Sequence, residues 1–355
     1  MINKINKTTF LFIILGVILF LITGLGPVKG DFLGLSAFVK YYVNYNKINL
    51  IVEPSFWLIV FISVFVSKYI ALSPVRLMII SYGILGVSLN LYAIKKISYF
   101  PILSLIVYLG VSYYLHQLTL AREGIASAIF MLAIPDIVNK NFKSYLLKTI
   151  AATLFHYSAF LMFFAYFVNR KKTETFEFLF YLILPFIGMV LYLMKIGKLI
   201  IMHILPYLPI FIQIKLNGYL DLIKKYGKHG INTLNMHGIT ILGFIVIYYF
   251  FLLNIKKIKK PLDKVLVKLL GWLIFIFYTF AFLPVISGRI ITQFGFGAII
   301  ILLLPELVYI IKEKKIAYAL VILYSVLIFI DYAIIGKESS QYNLHFILSY
   351  IKNGF

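Results

Sequence analysis

Along this chain the polar positions fall in short clusters between continuous apolar runs of about 17–25 residues, each long enough as a helix to cross a hydrocarbon core of roughly 30 Å. The runs lie near 10–24, 54–70, 75–94, 100–119, 123–138, 145–168, 176–195, 237–254, 267–285, 290–311 and 316–335. They are unbroken rather than alternating, which predicts helices and excludes a barrel of strands. The expected fold is an all-α polytopic integral membrane protein with about 10–12 transmembrane helices, a single transmembrane domain over 1–355. Outer loops are expected at about 25–53 and 215–236, and the longest polar stretch falls within 196–236. The first run ends in TGLGPVKG without an Ala-x-Ala site, which reads as a retained anchor rather than a cleaved signal.

Composition fixes the solvent. Hydrophobic residues make up 62% of the chain, charged residues 13%, and the mean hydropathy is +0.99. A soluble domain is nearer half apolar and a quarter charged. Lys and Arg number 34 against 12 acids, a formal charge of +22. These cations are scattered over many short loops, so no basic domain is available for nucleic acid. They suit first of all anchoring to anionic headgroups and orientation of the helices, and are compatible with the binding of a pyrophosphate-bearing substrate. The absence of Cys excludes disulfides and thiolate chemistry.

Short, dense basic loops favour the cytoplasm. Arg170-Lys171-Lys172, Lys256–Lys264 and Lys312–Lys315 are the tight clusters, and the last two place Arg289 and 196–236 on the outer face. Lys4 and Lys7 put the N-terminus inside and 25–53 outside. Two registers fit the middle. If all eleven runs cross, Arg122 falls at the cytoplasmic end of its helix. If 98–120 is re-entrant and LIIMHILPYLPIFIQI (199–214) crosses instead, Arg122 lies outside.

Several polar residues stand in apolar surroundings. LTLAREGIASAIFMLAI puts Arg122 and Glu123 at one helix boundary, where the two can pair, where Arg122 can snorkel, or where it can bind phosphate as a planar donor. His156, in AATLFHYSAFLMFF, sits about a dozen residues from either end of its run. There a buried imidazole is either satisfied by a carbonyl or hydroxyl or suited to proton transfer. Arg289 in SGRIITQFGFG adjoins Thr292, Gln293 and two small residues, a helix-packing face or a polar site wall. Asp31 is a Gly-Asp turn residue or a carboxylate acting on a hydroxyl; Glu53, before Pro54, complements a helix start. The other histidines form no i, i+4 pair and no His/Glu cluster of the metalloprotease type, so no metal is expected, and no phosphate-loop or dinucleotide motif is present.

Arg122 with Ala126 resembles the "R-q-g-l-A" helix of the EpsG family, a branch of the Wzy-type bacterial polysaccharide polymerases that make O-antigen or capsule. LFHYSAF at 154–160 is similar to its "l-F-H-y-S-a-l" helix, at a fitting separation of roughly thirty residues. GDF with Tyr41-Tyr42, Glu53-Pro54-Ser55-Phe56 and SGRIITQF resemble its outer loop, a helix start and its late Arg-containing helix. Lys29 stands where that family commonly has Arg, and Asp31 lacks a closely following Tyr.

The resemblance implies a glycosyltransferase of GT-C-like helical architecture, multi-pass in the bacterial cytoplasmic membrane. It would extend a surface polysaccharide by polymerising undecaprenyl-pyrophosphate-linked oligosaccharide repeat units, without a metal or other cofactor. Arg122, His156, Arg289 and Asp31 would be catalytic, and Glu53, Gln117, Glu123 and Gln293 would bind substrate. Its partners would be the lipid-linked oligosaccharide, membrane lipids and a chain-length regulator protein, with no nucleic acid. The same residues would also serve a flippase or other transporter of the lipid-linked oligosaccharide, or an acyltransferase acting on glycans.

Overall fold

A computed structural model describes residues 7–26, 30–48, 52–169, 174–208, 210–226 and 233–335. Arg170, Lys171, Lys172 and Lys29 therefore lie outside the described residues, as does 227–232 of the expected outer loop. The helices, in order, are α1 Lys7–Leu25, α2 Asp31–Tyr45, α3 Pro54–Val66, α4 Pro74–Ile97, α5 Pro101–Val107, α6 Ala121–Val138, α7 Phe142–Phe155 and α8 Met162–Ala165. They continue as α9 Thr175–Leu193, α10 Ile196–Ile204, α11 Ile210–Tyr226, α12 Thr233–Leu253, α13 Pro261–Thr279, α14 Pro284–Ile290, α15 Ile300–Leu303, α16 Leu307–Ile310 and α17 Lys314–Ile330. No strand occurs among the described residues, and the chain is an all-α polytopic membrane protein. Proline opens α3, α4, α5, α13 and α14, where its missing N–H is no loss and its fixed φ suits the first turn.

Two long π-helical segments depart from the regular pattern. Tyr108–Thr119 continues α5, and Ile291–Ile299 joins α14 to α15. Such segments are rare and cluster at functional sites.

The bundle has two chemically different ends. Arg76 at the start of α4 donates to the carbonyls of Gly24 (3.2 Å) and Gly26 (2.7 Å), while Lys95 near its end reaches Thr9 (2.8 Å), so α1 and α4 are antiparallel. At that second end Lys260 approaches Tyr99 and Glu306, and Phe100 packs on Tyr309. The lysine-rich end is thus defined by Lys7, Lys95, Lys96, Lys260 and Lys312–Lys315, and the positive-inside rule assigns it to the cytoplasm.

Among the described residues six helical segments are long and apolar enough to cross a membrane, fewer than the runs counted in the sequence. The α6 and α13 helices are continuous but each carries three charged residues, Pro54–Val66 and Ile241–Leu253 are shorter apolar helices, and one run is a hairpin. The run 145–168 is not one helix. His156 breaks it with an extended backbone (φ −152°, ψ 118°), and the chain then folds back. Tyr145 donates to the carbonyl of Met162, and the Phe142 and Tyr145 rings pack at an angle against Tyr166. Irregular backbone at membrane depth is tolerated where protein satisfies it: His156 N–H meets the Ala152 carbonyl, and Ala159 N–H meets the His156 carbonyl.

The segment 98–120 is likewise not re-entrant from the outer face. It starts at the lysine-rich end, climbs through α5 and the first π-helix, and turns at Leu120 into α6, which descends again. Nor does 199–214 cross as one helix. Nine-residue α10 is followed by a turn at Leu205–Tyr207, and Gly197 lies against the Thr279 carbonyl at the far end of α13 from Lys260. Run 54–70 is also shorter than expected: α3 has 13 residues and begins inside the bundle, parallel to α2, with Phe38 on Phe56 and Tyr42 on Phe61. Ser287–Ile310 runs through the centre of the bundle, buried except at Arg289 and at its last two residues.

Candidate functional site at two hairpin tips

The turn at Leu120 and the break at His156 bring two hairpin tips together beneath the N-termini of α2 and α3. In the first turn of α6, Arg122 faces those N-termini, whereas Glu123 points into the bundle and is only 2% exposed. Arg122 lays its guanidinium edge on Asp31, with Nε on Oδ2 and Nη2 on Oδ1, both at 2.8 Å. Its remaining edge, Nη1, donates to Glu53 Oε2. This is the bidentate geometry that favours Arg over Lys. It also means that the donor edges of Arg122 meet carboxylates of its own chain.

Glu53 then links to the second tip. Its Oε1 lies 3.4 Å from His156 Nδ1 and 3.5 Å from the Tyr157 N–H. On the other side of the ring, His156 Nε2 is 3.9 Å from Glu123 Oε2. Glu123 Oε1 accepts a hydrogen bond from Thr292 and stands 3.4 Å from His116 Nε2. His116 Nδ1 in turn pairs with Ser112 Oγ at 2.7 Å. A continuous row therefore runs Asp31, Arg122, Glu53, His156, Glu123, His116, Ser112.

Both π-helices serve this row. The first carries Ser112, His116 and Gln117; the second carries Thr292 and Gln293, whose amide oxygen accepts from Ser158 Oγ. Close packing needs glycine here. A Cβ on Gly86 would lie 2.1 Å from Gln117 Oε1, and one on Gly297 would lie 2.4 Å from Ser127 Oγ.

Buried polar groups ordinarily find hydrogen-bond partners. Around His156 they do not. His156 Nδ1 and Nε2, Glu123 Oε2, His116 Nε2, Gln293 Nε2 and both amide atoms of Gln117 are buried without a protein hydrogen bond. Seven such atoms gathered beside ionisable groups make this cluster the candidate functional site. Among the described residues, no three His, Asp or Glu side chains are disposed to hold a metal ion.

Of the residues singled out from the sequence, Asp31, Glu53, Arg122, Glu123 and His156 share one cluster. Gln293 joins through Ser158, next to His156, and Gln117 lies behind the tip against Gly86 and Gly124. Half-buried Arg289 interacts electrostatically with Glu123, and its carbonyl accepts from Thr292. Asp31 is thus an ion-pair partner rather than an isolated turn residue, and Glu53 does more than complement a helix start.

Sequence reasoning left out Ser112, and it took Thr292, Ser158 and His116 only as polar neighbours of Arg289 and His156, without a contact to Glu123 or Gln293. Ser112 and His116, four apart in an apolar stretch, were a visible signal for one face, but their meeting with Glu123 depends on the turn at Leu120.

No curated protein and no solved structure matches this chain. The EpsG family model matches residues 3–350. With nearly its whole length covered, the chain belongs to the EpsG family, which is associated with polysaccharide-polymerase-like membrane proteins.

Proposed function

We propose that this protein is a glycan polymerase that transfers a growing oligosaccharide from a lipid pyrophosphate to the terminal sugar of a new lipid-linked repeat unit, at the outer face of the bacterial cytoplasmic membrane. The observation that carries the reading is His156, held between Glu53 and Glu123 with both ring nitrogens unbonded. An imidazole between carboxylates is suited to take a proton from a sugar hydroxyl, and the carboxylates stabilise the imidazolium that forms. Separations of 3.4 and 3.9 Å are of the kind that tighten when substrate is bound.

In the reaction, the acceptor hydroxyl oxygen bonds to the anomeric carbon of the donor. The bond from that carbon to the pyrophosphate breaks, the lipid pyrophosphate departs with the electron pair, and the hydroxyl proton goes to His156. Arg289 is positioned to stabilise the charge developing on the leaving group. Arg122, engaged by Asp31 and Glu53, holds the two tips in register.

Deletion followed by gel display of surface glycan tests the reading. A polymerase deletion leaves glycans of a single repeat, whereas loss of all surface glycan points to a transporter. A normal ladder rejects both. Restoration of the ladder by wild type but not by His156→Ala is the expected outcome.

A further inference from the structure

Away from the charged row, a hollow of about 390 Å³ lies between α1 and α4. Phe12, Val87 and Leu91, all buried, form its floor together with Gly16, where a Cβ would come within 3.1 Å of Leu91 Cδ1. Ile13, Val17 and Ile84 also line it and are between 47% and 53% exposed, so it opens laterally to lipid. Only 22% of the spanning stretch of α1 is buried in the bundle, which leaves most of that helix to be covered by the membrane.

One end of the hollow is basic. Thr9 and Lys95 line it there, and Lys95 Nζ donates to Thr9 Oγ1 at 2.8 Å. Lys96 Nζ donates to the hydroxyl of Tyr92, another lining residue, at 3.0 Å. Each of these bonds uses one of the three N–H donors of an ammonium. Neither α1 nor α4 contains an acid to neutralise the two lysines. From this rim the hollow follows α1 to Phe20 and α4 back to Ile84, eleven steps along each helix, or about 17 Å. That is close to the depth of one leaflet, half of a hydrocarbon core of roughly 30 Å. The rim belongs to the lysine-rich end, so the leaflet is the cytoplasmic one.

We infer that the hollow between α1 and α4 binds an anionic phospholipid of the cytoplasmic leaflet, with one acyl chain between the helices and the phosphate at Lys95 and Lys96. Two ammoniums with no carboxylate on either helix favour a net-negative headgroup over one that carries its own ammonium. A second groove of about 390 Å³, between α8, α13 and the second π-helix, is lined by apolar residues such as Phe164, Trp272 and Leu273 and by no charged one, so it has no means of making that choice. No residue of the charged row lines the hollow, and lipid binding there does not depend on the polymerase reading.

The test uses the full chain in phosphatidylcholine nanodiscs that contain a small share of phosphatidylglycerol, with one or the other lipid radiolabelled. A photo-crosslinking phenylalanine analogue stands at Ile13 in the hollow or at Leu273 in the uncharged groove. At position 13 phosphatidylglycerol should be captured about twenty-five-fold above its share of the bilayer, at about fivefold for each lysine, and at position 273 in proportion to its share. High salt should weaken the preference, because both lysines lie at an exposed rim. Lys95→Gln combined with Lys96→Gln should abolish it. Gly16→Leu keeps both lysines and fills the hollow against the end of the Leu91 side chain, and it should also return capture at position 13 to the bulk share. Equal capture at positions 13 and 273, a preference that survives either variant, or crosslinking of position 13 to a second copy of the chain in place of lipid would overturn the inference.

Discussion

Two regions of this molecule bury charge, and they handle it in opposite ways. At the lysine-rich end, Lys260 bonds Glu306 at 3.2 Å and sits over the rings of Tyr99 and Tyr309, at 3.2 and 4.0 Å from their centroids. Further along α13, fully buried Lys268 bonds Glu177 at 2.7 Å and the Asn169 carbonyl at 3.1 Å. Neither pair leaves a buried side-chain atom without a partner. At the hairpin tips the Arg122 pairs are similarly closed, but the histidines behind them are not. Closed pairs fasten helices together. The open part, from His156 to His116, keeps several polar atoms out of such bonds, and on the polymerase reading these are the atoms a substrate would meet.

The comparison is sharpest if the two regions fail differently. His156→Ala should lower chain extension by about a hundredfold to ten-thousandfold, the usual range for a lost acid–base group, while thermal stability in detergent stays at the wild-type value. A parallel fall in stability would make His156 a core spacer and erase the contrast. Lys268→Ala should do the reverse. It leaves Glu177 without its cation, and breaking a buried pair costs about 3–5 kcal/mol, so protein abundance and melting temperature should fall, with the specific activity of the surviving protein retained.

Smaller effects separate the closed and open parts of the site. Arg122→Lys keeps the charge but serves one carboxylate instead of two, so the tips lose their register. A decrease of about tenfold or more in chain extension is expected, without the recovery in high salt that a simple surface cation would show. Retention of full activity would reduce Arg122 to an anchor at the membrane surface. His116→Gln should be the mildest. It acts through Glu123, so labelled repeat units in proteoliposomes should show a loss of about threefold to tenfold, the net worth of one hydrogen bond. A loss as large as that of His156→Ala would place His116 in direct contact with substrate.

The sequence disclosed much of this site and little of its depth. Arg122 and His156 stood out because charge and imidazole are expensive in apolar runs, and Glu53 because it precedes a proline that opens a helix. The path of the chain through the membrane was hidden. Residues 145–168 read as one span because hydropathy sums apolar side chains and does not register whether the backbone reverses halfway. The single sequence trace of that reversal is the polar His156-Tyr157-Ser158 step between two apolar halves. Likewise nothing local distinguishes π-helical Tyr108–Thr119 from an α-helix, because its register is set by packing against α17 and the second π-helix.

The hairpin tips also have a consequence for the solvent of the reaction. The Asn90 side chain in α4 donates to the Gly124 carbonyl next to Glu123, so the tips are packed against α4 within the bundle. On the polymerase reading, a sugar attacked beside these buried tips exchanges part of its hydration for their Gln, Ser and Glu side chains. Each added repeat then includes one drying and one rewetting of a polar ring. For a polymerase built this way, the hydration of the sugar, as much as the strength of the bond being made, sets how quickly the chain can grow.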